Sequence, residues 1–175
     1  MDDLKEMEAR IKALERKAAI AENIEAIKRL KHKYFRCLDA KLWDEMAECF
    51  TEDATTSYTD GKYSFKGVEA IMGFLKKSLG PTTVLSMHQG HQPEIDLTSE
   101  TTAKGIWTSE AGLIITDRNV STREVNFYHD EYVKVNGEWK IKHTGYTRLF
   151  EEMWDRGETK IMANMFAPRK EKSAQ

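Results

Sequence analysis

Tyr34, Asp39 and His88 are a phenol, a carboxylate and an imidazole. These groups suffice to remove a proton beside a carbonyl without a cofactor. The carboxylate fixes the imidazole and stabilises its charged form. The imidazole moves the proton, and the phenol donates a hydrogen bond to the oxyanion that develops. The residues stand in two stretches, Lys33-Tyr34-Phe35-Arg36-Cys37-Leu38-Asp39 and Ser86-Met87-His88-Gln89-Gly90-His91. They are far apart in sequence, so the chemistry needs a fold that joins them.

Each residue has an ordinary structural role open to it. Tyr34 could be a core tyrosine with its hydroxyl at a pocket edge. Asp39 could be the N-cap of the next helix. His88 could be a structural strand histidine. Asp39 follows Tyr34 by five residues, about 140° around an ideal helix. Both face one cavity only if that helix ends near Leu38. His91 competes with His88, but it projects to the opposite strand face unless Gly90 introduces a bulge. Tyr58, at the end of a strand, and Arg148, in Gly145-Tyr146-Thr147-Arg148, are two further candidates for the cavity. The Arg148 guanidinium could hold a carboxylate, a phosphate or the catalytic aspartate, or form a surface pair with Glu151 or Glu152.

The elements that must position these groups are legible from periodicity. Leu4, Met7, Ile11, Leu14, Ala18 and Ala21 repeat at helical spacing, and Ile20, Ile24, Ile27, Tyr34 and Leu38 continue the pattern. One long helix, or two joined near residue 22, is expected from about Leu4 to Leu38. Its first part suits a coiled-coil arm or a strap along a neighbouring subunit. Trp43, Met46, Ala47 and Phe50 give a second helix. Ala54 to Tyr58 and Tyr63 to Phe65 read as strands around Asp60-Gly61. Val68, Ile71, Met72, Leu75 and Leu79 give a third helix, stopped by Gly80-Pro81.

Beyond Pro81 the chain alternates apolar and polar residues near 83–97, 101–116, 123–135 and 138–148, with Asn136-Gly137 as a type I′ hairpin turn. The apolar tail from Phe150, with Met153, Trp154, Ile161, Met162, Met165 and Phe166, is expected to pack on the barrel or close a pocket. Residues 169–175 read as disordered. The expected fold is α+β: a cone-shaped, curved antiparallel sheet wrapped around N-terminal helices, open at one mouth. Such a cavity suits a flat, hydrophobic ligand. The expected organisation is an N-terminal helical arm over 1–22, one α+β barrel domain over 23–167 and a tail over 168–175.

Composition bounds the rest. The 175 residues suffice for one domain with a core, with 40% hydrophobic and 32% charged residues. A net charge of −2 gives no electrostatic case for nucleic acid or an anionic membrane. Cys37 and Cys49, the only cysteines, are expected as buried free thiols, without zinc-ligand spacing. The N-terminus lacks a secretory pattern and no stretch is long enough to span a membrane, so a cytoplasmic location is expected. There is no GxSxG, P-loop or GxGxxG, and Gly61-Lys62 lies within a hairpin.

The segment from Lys33 to Asp39, followed by Lys41 and Trp43-Asp44-Glu45, resembles the first catalytic segment of bile acid 7α-dehydratases of gut bacteria. Ser57-Tyr58 with Asp60-Gly61-Lys62 resembles their hairpin, and Ser86-Met87-His88 with Gly90-His91 and Pro93-Glu94-Ile95 their histidine strand. Phe127-Tyr128 with Asp130, Tyr132, Lys134, Gly137, Trp139 and Ile141, then Thr144-Gly145-Tyr146 with Arg148 and Glu151-Glu152, resemble their final strands. The similarity covers roughly residues 20 to 155 and points to the wider SnoaL-like, nuclear transport factor 2-like superfamily. The resemblance implies Tyr34, Asp39 and His88 as catalytic residues and Tyr58 and Arg148 as substrate-binding ones. It implies a homo-oligomer, a trimer being favoured, with no metal or organic cofactor. The chain departs from the pattern at Ala111, which stands where those enzymes carry an acid. Glu110 remains but is expected to face the other way, and the loop from Arg118 to Glu124 differs.

The expected activity is that of a cofactor-independent lyase. A dehydratase would remove water from a hydrophobic multi-ring hydroxy-ketone, such as a 3-oxo-Δ4 steroid with a 7α-hydroxyl, free or as a coenzyme A thioester. The same groups could instead break a carbon–carbon bond and expel formaldehyde from a diaryl propanediol. An isomerase, which loses no water, and a non-catalytic binding module are the remaining readings. The last requires that Asp39→Asn and His88→Ala leave function intact.

Overall fold

A computed structural model describes residues 2–167; the tail expected over 168–175 lies outside the described residues. The elements follow in the order α1 (Asp2–Ala40), α2 (Trp43–Ala47), β1 (Phe50–Tyr58), β2 (Tyr63–Lys66), α3 (Val68–Leu79), β3 (Val84–Leu97), β4 (Thr102–Ile115), β5 (Val120–Val135) and β6 (Glu138–Asp155). The six strands form one curved, open sheet in the order β2-β1-β6-β5-β4-β3. All neighbours are antiparallel except β1 and β6, which run parallel, so the sheet is mixed where an antiparallel one was expected. The chain reaches the same side twice because α3 and the β3–β6 meander separate the two strands.

The sheet is bent by four register shifts, at Phe50/Thr55, His91/Glu94, Val125/Asn126 and Glu131/Tyr132. Each breaks the ladder and raises the local twist. The concave face takes up α1 and α3, and the core forms there from Ile27, Leu38, Met46, Ile71, Leu75, Trp107 and Ile141. The Asn136-Gly137 turn has both residues at positive φ, 52° and 84°, as a type I′ turn requires. Cys37 and Cys49 are buried free thiols, and burial pushes the Cys49 thiol up to about 11. No helix among the described residues is long and apolar enough to cross a membrane.

Helix α1 is continuous from Asp2 to Ala40, the first of the two expected arrangements, because residues 19–23 carry no helix breaker. Two boundaries differ from the expectation. Strand β5 begins at Val120, three residues before the expected start near 123, so most of the stretch read as a loop before Glu124 is strand. Strand β6 runs to Asp155, paired with β5 from Val120↔Asp155 onward, so Arg148 stands within a strand and not at its end. The end of the apolar tail packs on the barrel, where Asn164, Met165 and Phe166 wall a second cavity of about 430 Å³ with Arg36, Asp39, Leu85 and Ser86. Met153, Trp154, Met162 and Met165 are exposed, whereas Ile161 and Phe166 are half-buried, with the Lys41 ammonium 4.8 Å from the Phe166 ring centre.

Candidate active site

The end of α1 sets the geometry. Lys41 takes a left-handed conformation at φ 57°. The Leu42 N–H then bonds the Cys37 carbonyl at 2.9 Å and the Lys41 N–H bonds that of Leu38, which closes the helix as a Schellman-type turn. The Lys41 ammonium donates to the carbonyls of Leu79 and Val84, the latter at 3.0 Å. This ties the helix end to the end of α3 and the start of β3, and it brings Asp39 to edge strand β3.

There Asp39 is held from three directions. The His88 imidazole donates from Nδ1 to Oδ1 at 2.6 Å, Ser86 Oγ donates to Oδ1 at 2.8 Å, and the His88 backbone N–H donates to Oδ2 at 2.7 Å. A carboxylate only accepts, so Nδ1 carries the proton in neutral His88 and Nε2 is left as the base. Helix α1 runs past Leu38 to Ala40, and Tyr34 and Asp39 accordingly do not share the cavity. Tyr34 faces the cavity. Asp39 stands behind the imidazole, where its offset around the helix places it. Its role as N-cap is also absent: α2 is preceded by Leu42, with no side-chain cap.

The cavity in front of the imidazole measures about 880 Å³. His88, Tyr34, Tyr58 and Arg148 all line it, with Tyr128, Tyr146, Phe74, Leu113, Glu124 and Glu151. Tyr34 and Tyr58 meet hydroxyl to hydroxyl at 3.2 Å. Burial holds the phenols of Tyr34, Tyr58 and Tyr128 well above the ordinary tyrosine range, so they stay protonated donors at neutral pH. His91 remains on the outer face, because the bulge follows it, with Gln92 at φ 47°.

One cross-strand row crosses the cavity wall: His88↔Ala111↔Glu124↔Glu151. Paired residues in adjacent strands share a face, so Glu124 stands on the histidine's side of the wall, about 10 Å away at strand spacing, with the buried Ala111 between them. Glu124 escapes the sequence reading because it falls at the boundary between the strand expected near 123–135 and the loop before it. The strand period from Asn126 backwards could have found it. Burial raises its carboxyl above the usual range, opposed by the Arg148 guanidinium at 2.9 Å. Arg148 also pairs with Glu151, and its Nε is buried without a partner. The guanidinium is therefore already shared by two carboxylates. Tyr128 and Ser86 were likewise missing from the candidate set. Ser86 falls on the His88 side of β3 by simple alternation.

Beneath the cavity floor a buried network fixes the aromatic groups. Lys31 pairs with Asp130 at 2.7 Å, with both side chains fully buried. Asp130 also accepts from Tyr132 at 2.6 Å and Thr144 at 2.7 Å. The Lys31 ammonium lies 3.9 Å from the Tyr128 ring centre and 4.7 Å from that of Tyr34. Among the described residues no group of three His, Cys, Asp or Glu side chains is placed to hold a metal ion.

Gly90 admits Phe35 to the site. A Cβ at Gly90 would stand 2.5 Å from Phe35 Cε2, and the Phe35 ring lies parallel to His88, with centroids 6.1 Å apart. Gly90→Ala is therefore expected to drive Phe35 toward the imidazole. Overpacking of this kind costs about 1–3 kcal/mol, and thermal unfolding beside a turnover assay should show both a lower midpoint and a lower kcat. An unchanged midpoint would mean that Phe35 yields freely.

A family model described as the SnoaL-like domain matches residues 19–145, and the chain belongs to that family. Among solved structures, the chain is similar to a candidate scytalone dehydratase from Novosphingobium aromaticivorans, with 26% identity over 78% of this chain and 90% of that one, at a TM-score of 0.73. It shares the fold of a hexachlorocyclohexane dehydrochlorinase, LinA-type3, from Novosphingobium barchaimii, at 18% identity over 87% of this chain and 99% of that one, with a TM-score of 0.71.

Proposed function

We propose that this protein is a cofactor-independent hydro-lyase acting on a hydrophobic multi-ring hydroxy-ketone. The observation that carries the reading is the 2.6 Å contact between Asp39 and His88 Nδ1, which leaves Nε2 to a large cavity walled by protonated phenols. The similarity to a candidate scytalone dehydratase supports the same class.

In this reading the substrate carbonyl accepts a hydrogen bond from Tyr34, backed by Tyr58. His88 Nε2 takes the vinylogously acidic proton, and the C–H electrons pass into a dienolate whose oxyanion the phenol stabilises. The dienolate collapses, the allylic C–O bond breaks, and the imidazolium returns its proton to the departing hydroxide. Water leaves and neutral His88 is regenerated. Asp39 stabilises the imidazolium between these steps.

Arg148, balanced by Glu124 and Glu151, places the substrate through Glu124 rather than by capturing a free carboxylate. This favours a neutral substrate end at the mouth. A 7α-hydroxy-3-oxo-Δ4 steroid is the first candidate, and its acid and its coenzyme A thioester are the two forms to compare.

The test is mass spectrometry of reactions containing the purified protein and that steroid, in both forms, beside diaryl propanediols with a formaldehyde assay. A product lighter by one water supports the hydro-lyase. Formaldehyde release would replace it with the carbon–carbon lyase, and a product of unchanged mass with an isomerase. Inertness toward the whole panel in folded protein would count against the substrate class.

Tyr34→Phe removes the oxyanion donor and is expected to lower kcat by about 10²–10³-fold. The phenol is held protonated above its ordinary range, so its ionisation does not set the alkaline limb of the wild-type profile. The variant should lower the plateau of the pH–rate profile without moving that limb. A shifted limb would mean that Tyr34 itself is the titrating group.

A further inference from the structure

The first half of α1 extends away from the sheet, with residues 3–22 exposed. Its large apolar side chains have no cover: Leu4 is 65% exposed, Met7 57%, Ile11 48% and Leu14 60%. Their spacing, continued by Ala18 and Ala21, alternates three and four residues. That is the a/d seam of a heptad, with Leu4, Ile11 and Ala18 at a and Met7, Leu14 and Ala21 at d.

Among the described residues the cover is not supplied by the rest of the domain, which packs on another face of the helix. The stripe by which α1 packs on its own domain runs through Ile27, Lys31, Tyr34 and Leu38. At an ideal helical rotation this stripe lies about 160° around from the a/d seam. One helix thus carries two apolar faces, one turned to its own sheet and one turned away.

The charges flanking the seam name the occupant. Positions e hold Glu8, Glu15 and Glu22, and positions g hold Arg10 and Lys17. In a parallel, in-register pair, g of one helix faces e of the next heptad of the other. Arg10 then meets Glu15 of the other copy, and Lys17 meets Glu22, in both directions. An antiparallel pair would set e against e and g against g, like charge on like. Only Asp3, at the free tip, faces a like charge in the parallel arrangement, opposite Glu8.

We infer that the N-terminal arm is a homotypic docking element: arms of separate copies of this chain pack in parallel and in register along the a/d seam. The seam spans roughly 30 Å, and arms of this kind rise along one side of a cyclic assembly.

Cysteine cross-linking of the full chain tests this. Met7→Cys and Ala18→Cys are made separately and oxidised mildly, with the parent chain, whose two thiols are buried, as control. Parallel arms in register bring each position to its own counterpart, so each variant alone gives a covalent dimer. Cross-linking only in the mixture of the two variants would show antiparallel arms and overturn the inference, as would no cross-link at all.

A charge exchange tests the pairing. In the Met7→Cys background, Glu15→Lys with Glu22→Lys, and Arg10→Glu with Lys17→Glu, should each cut cross-linking severalfold alone. An equimolar mixture should restore it, because each altered arm then meets opposite charge. Equal cross-linking in all three samples would overturn the pairing.

Discussion

His88→Ala is expected to lower kcat/KM by about 10²–10⁴-fold, the range of a positioned general acid–base group. Asp39→Asn should fall in the same range for a different reason. Its amide can still bond Nδ1, but it no longer stabilises the imidazolium and it permits the wrong tautomer. The two groups act as one unit, so the double variant should be little worse than either single one. Ser86 and the His88 backbone N–H also donate to Asp39, which gives the fold a share in the same carboxylate. Circular dichroism and thermal unfolding therefore accompany the kinetics. Activity within about threefold of the parent, far short of that range, in either folded variant would remove the dyad from the mechanism.

The largest effect on stability is expected at Lys31. Lys31→Met leaves the Asp130 carboxylate fully buried with only the Tyr132 and Thr144 hydroxyls as donors. Breaking a buried pair from one side costs about 3–5 kcal/mol, against a total of about 5–15 kcal/mol for a domain. Adding Asp130→Asn to Lys31→Met should recover much of the loss, because no uncompensated charge remains. Asp130→Asn alone should be milder, since the lysine can shed its proton. Burial already lowers the Lys31 ammonium below its ordinary 10.5, against the opposing pull of Asp130. The unfolded chain therefore binds that proton more tightly than the folded one. Stability of Asp130→Asn should rise with pH through the window that ends at 10.5, the unfolded lysine's value. Urea denaturation across pH measures all three variants. A Lys31→Met midpoint equal to the parent's would mean that water reaches Asp130. The same network underlies Tyr34 and Tyr128, so Lys31→Met should also loosen the cavity floor.

The sequence specified more of the scaffold than of the site. The α1 stripe, the Asn136-Gly137 turn and the period of the β3–β6 meander are local signals, set by side-chain alternation and turn chemistry. They were readable because each depends on near neighbours in the chain. Tyr34, Tyr58, His88 and Arg148 were found as candidates, and all four line the cavity. Asp39 is legible as the carboxylate that fixes the imidazole, but the route by which it reaches His88 is not. Its real position behind His88 depends on how Lys41 anchors the helix end to Leu79 and Val84. No local pattern encodes that anchor.

Glu124 shows the limit most clearly. Its strand begins at Val120 because β6 continues to Asp155 and pairs with it, a decision made between segments some thirty residues apart. The parallel contact of β1 with β6 and the burial of Lys31 against Asp130 are of the same kind. A lysine in a helical stripe reads as a solvated residue until the sheet closes over it. The sequence by itself determined which segments are helix and strand, where the tight turns fall, and which side chains could do acid–base chemistry. The tertiary structure alone decided which of them share a cavity, which carboxylate stands behind the imidazole, and which charges are buried, because those outcomes depend on strand register and on water being excluded between elements distant in the chain.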